Sequence, residues 1–205
     1  MARIGADRGP PRKGHQDRYA SFAELAAMER EGVDYRVLIR EVEGASVAVV
    51  TPHGGGIERG TTQIARAIAG DVLHLYVFEG LKTRGNFDAL HITSRRFDEP
   101  RCLDLLARSE TVLTVHGCVG FDERVYIGGL HEALKWRIAQ ALASIGVEAW
   151  LSNHNFPATD PENICNRGRC GRGVQLEFTT GLRRLMQYGN LAASIRNAVV
   201  GALDR

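Results

Sequence analysis

The chain alternates short, uninterrupted apolar runs with segments of helical periodicity. Residues 46–51 (SVAVVT) form a β-branched run that predicts a buried strand, ending at Pro52 and three glycines. Further strands are predicted at 72–78, 111–115 (TVLTV, stopped by His116-Gly117), 125–127, 147–151 and 174–178, with a short one at 90–93. Helices are predicted at 22–31, with Ser21 as N-cap, and at 61–69, 100–107, 131–144 and 191–203. In the 131–144 helix Leu134, Ile138, Ala141, Leu142 and Ile145 share one face. Residues 152–172, rich in Asn, Pro, Gly and Arg, read as a loop.

Strands alternating with helices predict an α/β fold: one three-layer α/β/α sandwich around a mixed, largely parallel sheet. In such sheets ligands gather beyond the carboxyl ends of the strands. The residues that follow the apolar runs are therefore the ones to inspect.

Three runs deliver chemistry there. SVAVVTP is followed by His53, with Glu58 five residues later; TVLTV leads to His116; and VQL leads to Glu177. Two imidazoles and one carboxylate are a ligand set for catalytic zinc, which leaves a position for water. Glu177 is then available as a general base. Five residues turn a helix by about 500°, so His53 and Glu58 do not share a helical face. A turn must join them, and Gly54, Gly55 and Gly56 permit one. Each residue also has a plainer reading. His53 serves equally as a polar loop residue, Glu58 as a helix-start charge, His116 as part of a turn and Glu177 as an exposed edge-strand side chain.

Size and composition narrow the class. The 205 residues suit one domain, and a hydrophobic share of 44% supplies a core that needs no staples. A net charge of +2 is too small to imply nucleic acid or a membrane surface, and no apolar run is long enough to span a bilayer. The first 17 residues are basic but have no apolar stretch, so they predict a flexible arm (which contains His15) and no standard secretory signal. A cytoplasmic protein, or one released on lysis, is the expectation, with a monomer as its state. Cys102, Cys118, Cys165 and Cys170 contain no C-x-x-C pair, which argues against a thiolate zinc site. Free thiols are expected, with a Cys165–Cys170 disulfide as the alternative.

Several longer motifs carry a resemblance. The segments YASFAEL (19–25), TPHGGGIERGT (51–61), FEGLKTRGN (78–86), LHITSRRFDEP (90–100), VHGCVG (115–120), YIGGL (126–130) and NICNRGRCGRGVQLE (163–177) together resemble the phage-type poly-γ-glutamate hydrolases over residues 19–184. That resemblance implies a zinc enzyme with a metallocarboxypeptidase-like fold, cleaving γ-glutamyl amide bonds of a bacterial capsule polymer. Matched by motif, His53, Glu58 and His116 take the places of the zinc ligands and Glu177 that of the catalytic acid/base. The five-residue step from His53 to Glu58, longer than in the familiar carboxypeptidases, is expected for the phage-type branch.

An anionic polymer or γ-glutamyl peptide calls for cationic side chains, and arginine binds carboxylates bidentately. Arg167 and Arg172 in the Asn163–Arg172 loop, together with Arg84 and Asn86, are the predicted substrate-binding residues. Solvated loop charge is the alternative for each arginine. His91 is a candidate for orienting a metal ligand, Tyr126 for oxyanion contact or packing, and His74 for a satisfied strand residue. Two further readings stay open: zinc hydrolysis of a different amide, and a non-catalytic module that binds an anionic polymer.

Overall fold

A computed structural model of the chain describes residues 16–203. A seven-stranded sheet lies between helices on both faces, in the order β1-β3-β2-β4-β7-β5-β6. The strands are β1 (Tyr35–Arg40), β2 (Val47–Gly55), β3 (His74–Gly80), β4 (Thr111–Cys118), β5 (Arg124–Gly128), β6 (Glu148–Trp150) and β7 (Val174–Thr179). The central four, β3-β2-β4-β7, run parallel, while β1 is antiparallel to β3 and β5 to β7. The mixed, largely parallel α/β sandwich expected from the strand–helix alternation is the fold observed.

Alternation along the strands divides the apolar side chains between two cores. Val49, Val77, Leu113, Val115, Leu176 and Phe178 point to one face and pack under α2 (Thr61–Ala69), α5 (Glu132–Ser144) and α7 (Leu191–Leu203). Ala48, Val50, Tyr76, Phe78 and Val112 point to the other. There they meet Leu25 of α1 (Phe22–Met28), and Leu105 and Leu106 of α4 (Pro100–Arg108). Ser21 caps α1 by accepting from the Glu24 amide, as predicted. Glu99 caps α4 through Cys102 N, and Pro100 stands at its first position, where no donor is missed.

Two strands run on through their expected stops. β2 continues past Pro52 to Gly55, because Gly54 and Gly55 still pair with Glu79 and Gly80 of β3. β4 continues through His116 and Gly117 to Cys118, paired with Glu177, Phe178 and Thr179. Residues 90–93 are no strand. Leu90 closes a short helix, α3 (Asn86–Leu90), and the next residues bond to side chains and loops instead of a ladder. β1 and the short α6 (Thr180–Leu185) had no clear sequence signal. β1 is an edge strand whose pattern is broken by Arg36 and Arg40, and α6 starts at once after β7 on its own cap, Thr179. The α5 helix buries Leu134, Lys135, Ile138, Ala139 and Leu142, while Ile145 is 37% exposed at its C-cap.

All four cysteines are free. No helix among the described residues is long and apolar enough to cross a membrane. The predicted arm lies outside the described residues except for its last two positions. Of these, Asp17 is docked against the body of the protein.

Candidate metal centre

The C-terminal ends of β2, β4 and β7 lie side by side, and their polar side chains meet on the sheet face that carries α1 and α4. His116 and Glu177 are register partners on β4 and β7, so both project to that face. His53 reaches it by a different device. Between Thr51 and Gly54 the β2–β3 register shifts by one residue, and this bulge reverses the alternation at the end of the strand. Pro52 fits there because a bulge leaves a backbone position without a ladder bond.

The glycines then turn the chain sharply. The Glu58 amide donates to His53 O at 2.9 Å, and Thr61 Oγ1 donates to the carbonyls of His53 and Glu58 at 3.1 and 2.8 Å. Gly55 has φ +61°, and a Cβ at Gly56 would lie 2.3 Å from Asn86 Nδ2. This knot carries Glu58 back beneath His53 just before α2.

Three side chains converge as a result. His53 Nδ1 lies 3.1 Å from His116 Nδ1 and 3.3 Å from Glu58 Oε1, and His116 Nδ1 lies 3.8 Å from Glu58 Oε2. A tetrahedral ion with bonds near 2.0–2.1 Å sets its ligand atoms about 3.3 Å apart, and the His53–His116 and His53–Glu58 Oε1 separations are close to that, while the 3.8 Å approach of His116 is to the other carboxylate oxygen. The outer ring nitrogens fix the rings. His53 Nε2 donates to Ile92 O at 2.9 Å, which leaves Nδ1 as the lone-pair atom, and His116 Nε2 is 3.4 Å from Ser94 Oγ. Glu58 Oε2 also accepts from the Gly117 amide at 2.7 Å.

His91 is near enough to compete for a place in the ligand set, since one of its ring nitrogens, one of His53 and a Glu58 oxygen lie within 4.8 Å of one another. Its orientation argues otherwise. The His91 and His53 rings stack at 4.1 Å with planes 27° apart, so their in-plane lone pairs run side by side and do not converge. His53 and His116 meet at 64°. His91 is a wall of the site, held by Asp17 through Nδ1 at 2.6 Å, and Asp17 also accepts from Thr93 N at 2.8 Å and pairs with Arg96.

The electrostatics suit a cation. Burial alone would raise the Glu58 pKa, but the charge and hydrogen bond of His53, with His116 and the Gly117 amide, pull it down. Burial likewise opposes a charge on His53, yet Glu58 outweighs it and raises the pKa of that imidazole. Burial and the neighbouring charge on His53 push His116 down to about 3 and His91 to about 4. A positive charge in this cluster is thus favoured at His53, beside Glu58, and disfavoured at His116 and His91. The donor set of His53, Glu58 and His116 is one that fits a cation in place of a proton.

A cavity of about 270 Å³ opens onto this cluster, and Glu177, Gln175, Asn163, Ser94 and Phe156 are among the residues that line it. Glu177 is 6% exposed and accepts from Gln175 Nε2 at 3.0 Å, while Asn163 Nδ2 donates to Gln175 Oε1 at 3.2 Å. Asn163 lies inside the NICNRG motif, whose most visible residues are its arginines; the asparagine is the one that faces the site.

The expected substrate arginines lie elsewhere. Gly168 packs on Glu110 and Val112, and Arg169 N donates to Ser109 O, so this loop crosses the N-terminal end of β4, away from His116. Arg167 sits within that loop and Arg172 just before β7, and neither lines the cavity. Arg84 is exposed outside it as well. Asn86 is buried, and its amide bonds to Lys82 N and O at 2.9 and 2.6 Å, a clamp on the β3 end. Arginine count in a motif gave no information on which end of the sheet the loop covers. Tyr126 packs against Trp150, His154 and Phe156 beside Glu177, and His74 is satisfied by Val42 N and Ala45 O.

Fold and site together define an α/β protein with a buried His–Glu–His cluster at the carboxyl edge of its sheet. Residues 19–199 match the poly-gamma-glutamate hydrolase family, and the chain belongs to it. UPF0714 protein YndL of Bacillus subtilis (strain 168) is 38% identical over 171 residues, which are 82% of this chain and 66% of that protein. The chain therefore spans just under two thirds of that relative. Bacteriophage poly-gamma-glutamate hydrolase superposes with a TM-score of 0.86 and 31% identity, over 92% of this chain and 97% of the other. A zinc-free apo form of YndL superposes with a TM-score of 0.85 and 32% identity, over 93% and 98%.

Proposed function

We propose that this chain is a zinc-dependent hydrolase of γ-glutamyl amide bonds, acting on poly-γ-glutamate or a related γ-glutamyl compound. The observation that carries the reading is the cluster of His53 Nδ1, His116 Nδ1 and the two Glu58 carboxylate oxygens, with contacts of 3.1 to 3.8 Å, and Glu177 on the adjoining strand in the same cavity. Family membership supports the hydrolytic activity and the polymer, and a zinc-free form of YndL among its relatives supports the choice of ion.

A zinc ion held by His53, Glu58 and His116 supplies Lewis acidity, which eases ionisation of water and polarises an amide carbonyl. The chain's own groups do the rest. The Glu177 carboxylate takes a proton from the attacking water as the new C–O bond forms. It holds that proton and delivers it to the amide nitrogen as the C–N bond breaks, so the products are a carboxylic acid and an amine. Gln175 fixes one Glu177 oxygen through its amide N–H, and Asn163 holds Gln175 in turn. The His53 tautomer is kept by Ile92 O, and Asp17 keeps His91 against its ring.

Incubating zinc-loaded protein with poly-γ-glutamate and a panel of γ-glutamyl peptides tests the reading. New amino groups should appear, and Glu177→Gln should release them about 10²–10⁴-fold more slowly. Zinc-loaded wild type that releases no amine from any γ-glutamyl substrate would overturn it.

A further inference from the structure

A second cavity, about 480 Å³, adjoins the first and shares Glu58 and Gly117 with it. Its wall carries Arg59, Arg183 and Arg184, with Gln187, Phe87 and Val119 beside them. The first cavity has no lysine or arginine among its lining residues, and Glu58, turned toward the two imidazoles, is the only carboxylate lining the second.

The three arginines are held differently. Arg183, on α6, is fixed: it donates to Arg59 O at 2.6 Å, to Cys118 O at 3.0 Å and to Thr180 Oγ1 at 3.2 Å. Its guanidinium lies flat over Gly117, where a Cβ would come within 2.4 Å of Nη1. The absence of a side chain at Gly117 leaves the room that the Arg183 guanidinium occupies. Arg59 and Arg184 are exposed, and among the described residues neither pairs with a carboxylate. Most other arginines of the structure do pair, as Arg36, Arg101, Arg108 and Arg124 show.

We propose that this cavity is a carboxylate-binding subsite, in which Arg59 and Arg184, on a frame set by Arg183, receive the free α-carboxylates of the residues on one side of the scissile amide. The proposal rests on the reading of the site as a γ-glutamyl hydrolase and names how that site recognises its substrate. A chain linked through γ-carboxyls leaves one α-carboxylate on every residue. Planar guanidinium groups bind such carboxylates bidentately, and their strength survives partial exposure better than that of a lone point charge. The other side of the amide then lies over the uncharged wall of Asn155, Phe156 and Asn163. Recognition is in this way asymmetric across the metal cluster: charged on the α6 side, neutral on the β7 loop side.

Binding on a non-cleaving background tests this. Zinc-loaded Glu177→Gln protein is titrated with a γ-linked glutamate oligomer and with the same oligomer carrying α-carboxamides. Adding Arg59→Gln and Arg184→Gln, both at exposed positions, should weaken binding of the acidic oligomer by about tenfold or more and flatten its salt dependence. The amidated oligomer should bind weakly and equally to both proteins. Unchanged affinity and salt dependence for the acidic oligomer after both substitutions would overturn the subsite. If wild type proved inactive on γ-glutamyl bonds while the arginine-dependent binding held, the subsite would stand and the hydrolase reading would fall.

Discussion

The two faces of the central strands do different work with one backbone. On β4 and β7, Leu113, Val115, Leu176 and Phe178 face α2, α5 and α7 in an apolar core, while Thr114, His116, Gln175 and Glu177 face the other way. Successive side chains alternate, so chemistry and stability are interleaved residue by residue. The second face is itself divided along its length. Ala48, Val50 and Val112 are apolar near the N-terminal ends of the strands, and the imidazoles and carboxylates lie at the C-terminal ends. Neighbouring positions on one strand thus place a core side chain on one face and a candidate-site side chain on the other.

Substitutions on opposite faces of adjacent positions should separate the two. Glu177→Gln should lower turnover on a γ-glutamyl substrate by about 10²–10⁴-fold, the usual cost of a lost general base, with the thermal midpoint close to wild type. Progress curves beside a melting curve check both halves. Leu113→Ala, on the apolar face, should do the reverse and cost about 2–5 kcal/mol of stability by leaving a cavity. Its specific activity per folded molecule should stay near wild type at a temperature below its transition. Equal losses of activity in the two variants would erase the distinction between the faces.

The smallest effect is expected where the N-terminal segment joins the site. Burial would raise the Asp17 pKa, but its hydrogen bonds to His91 and the Thr93 amide hold it well below the usual carboxylate range. A depressed folded-state pKa stabilises the protein above the unfolded value, and that stability is lost as pH falls through the folded value. Asp17→Asn should therefore cost about 1–2 kcal/mol at pH 7. The difference from wild type should hold down to about pH 4, the unfolded carboxylate range, and close only in stronger acid. Denaturant midpoints at several pH values measure it. A gap that closes already between pH 7 and 5 would remove Asp17 as its source.

How much of this was readable beforehand follows from how local each signal is. The SVAVVT and TVLTV runs are dense β-branched stretches, and the strands they predict are present. Where the structure departs, the cause is tertiary. Pro52 and the glycines do not end β2, because β3 offers partners for one bulge further. The NICNRGRCGRG loop displays arginines, yet Asn163 faces the cavity while the arginines cover the opposite end of β4. Asp17 meets His91 across 74 positions of chain, and no periodicity in the sequence announces such a pair. Arg183 and Arg184 stand on α6, a helix of six residues that is too short to leave a pattern.

The proposed hydrolase stands or falls on His53, Glu58 and His116 being the residues that would hold a zinc ion. Metal analysis of dialysed wild type, His53→Ala, His116→Ala and His91→Ala, grown with zinc, decides it. About one zinc per chain is predicted for wild type and for His91→Ala, with most of it lost from His53→Ala and His116→Ala. Stoichiometric zinc retained in His116→Ala, or zinc lost from His91→Ala with His116→Ala still loaded, would contradict the assignment of His53, Glu58 and His116 as the ligands.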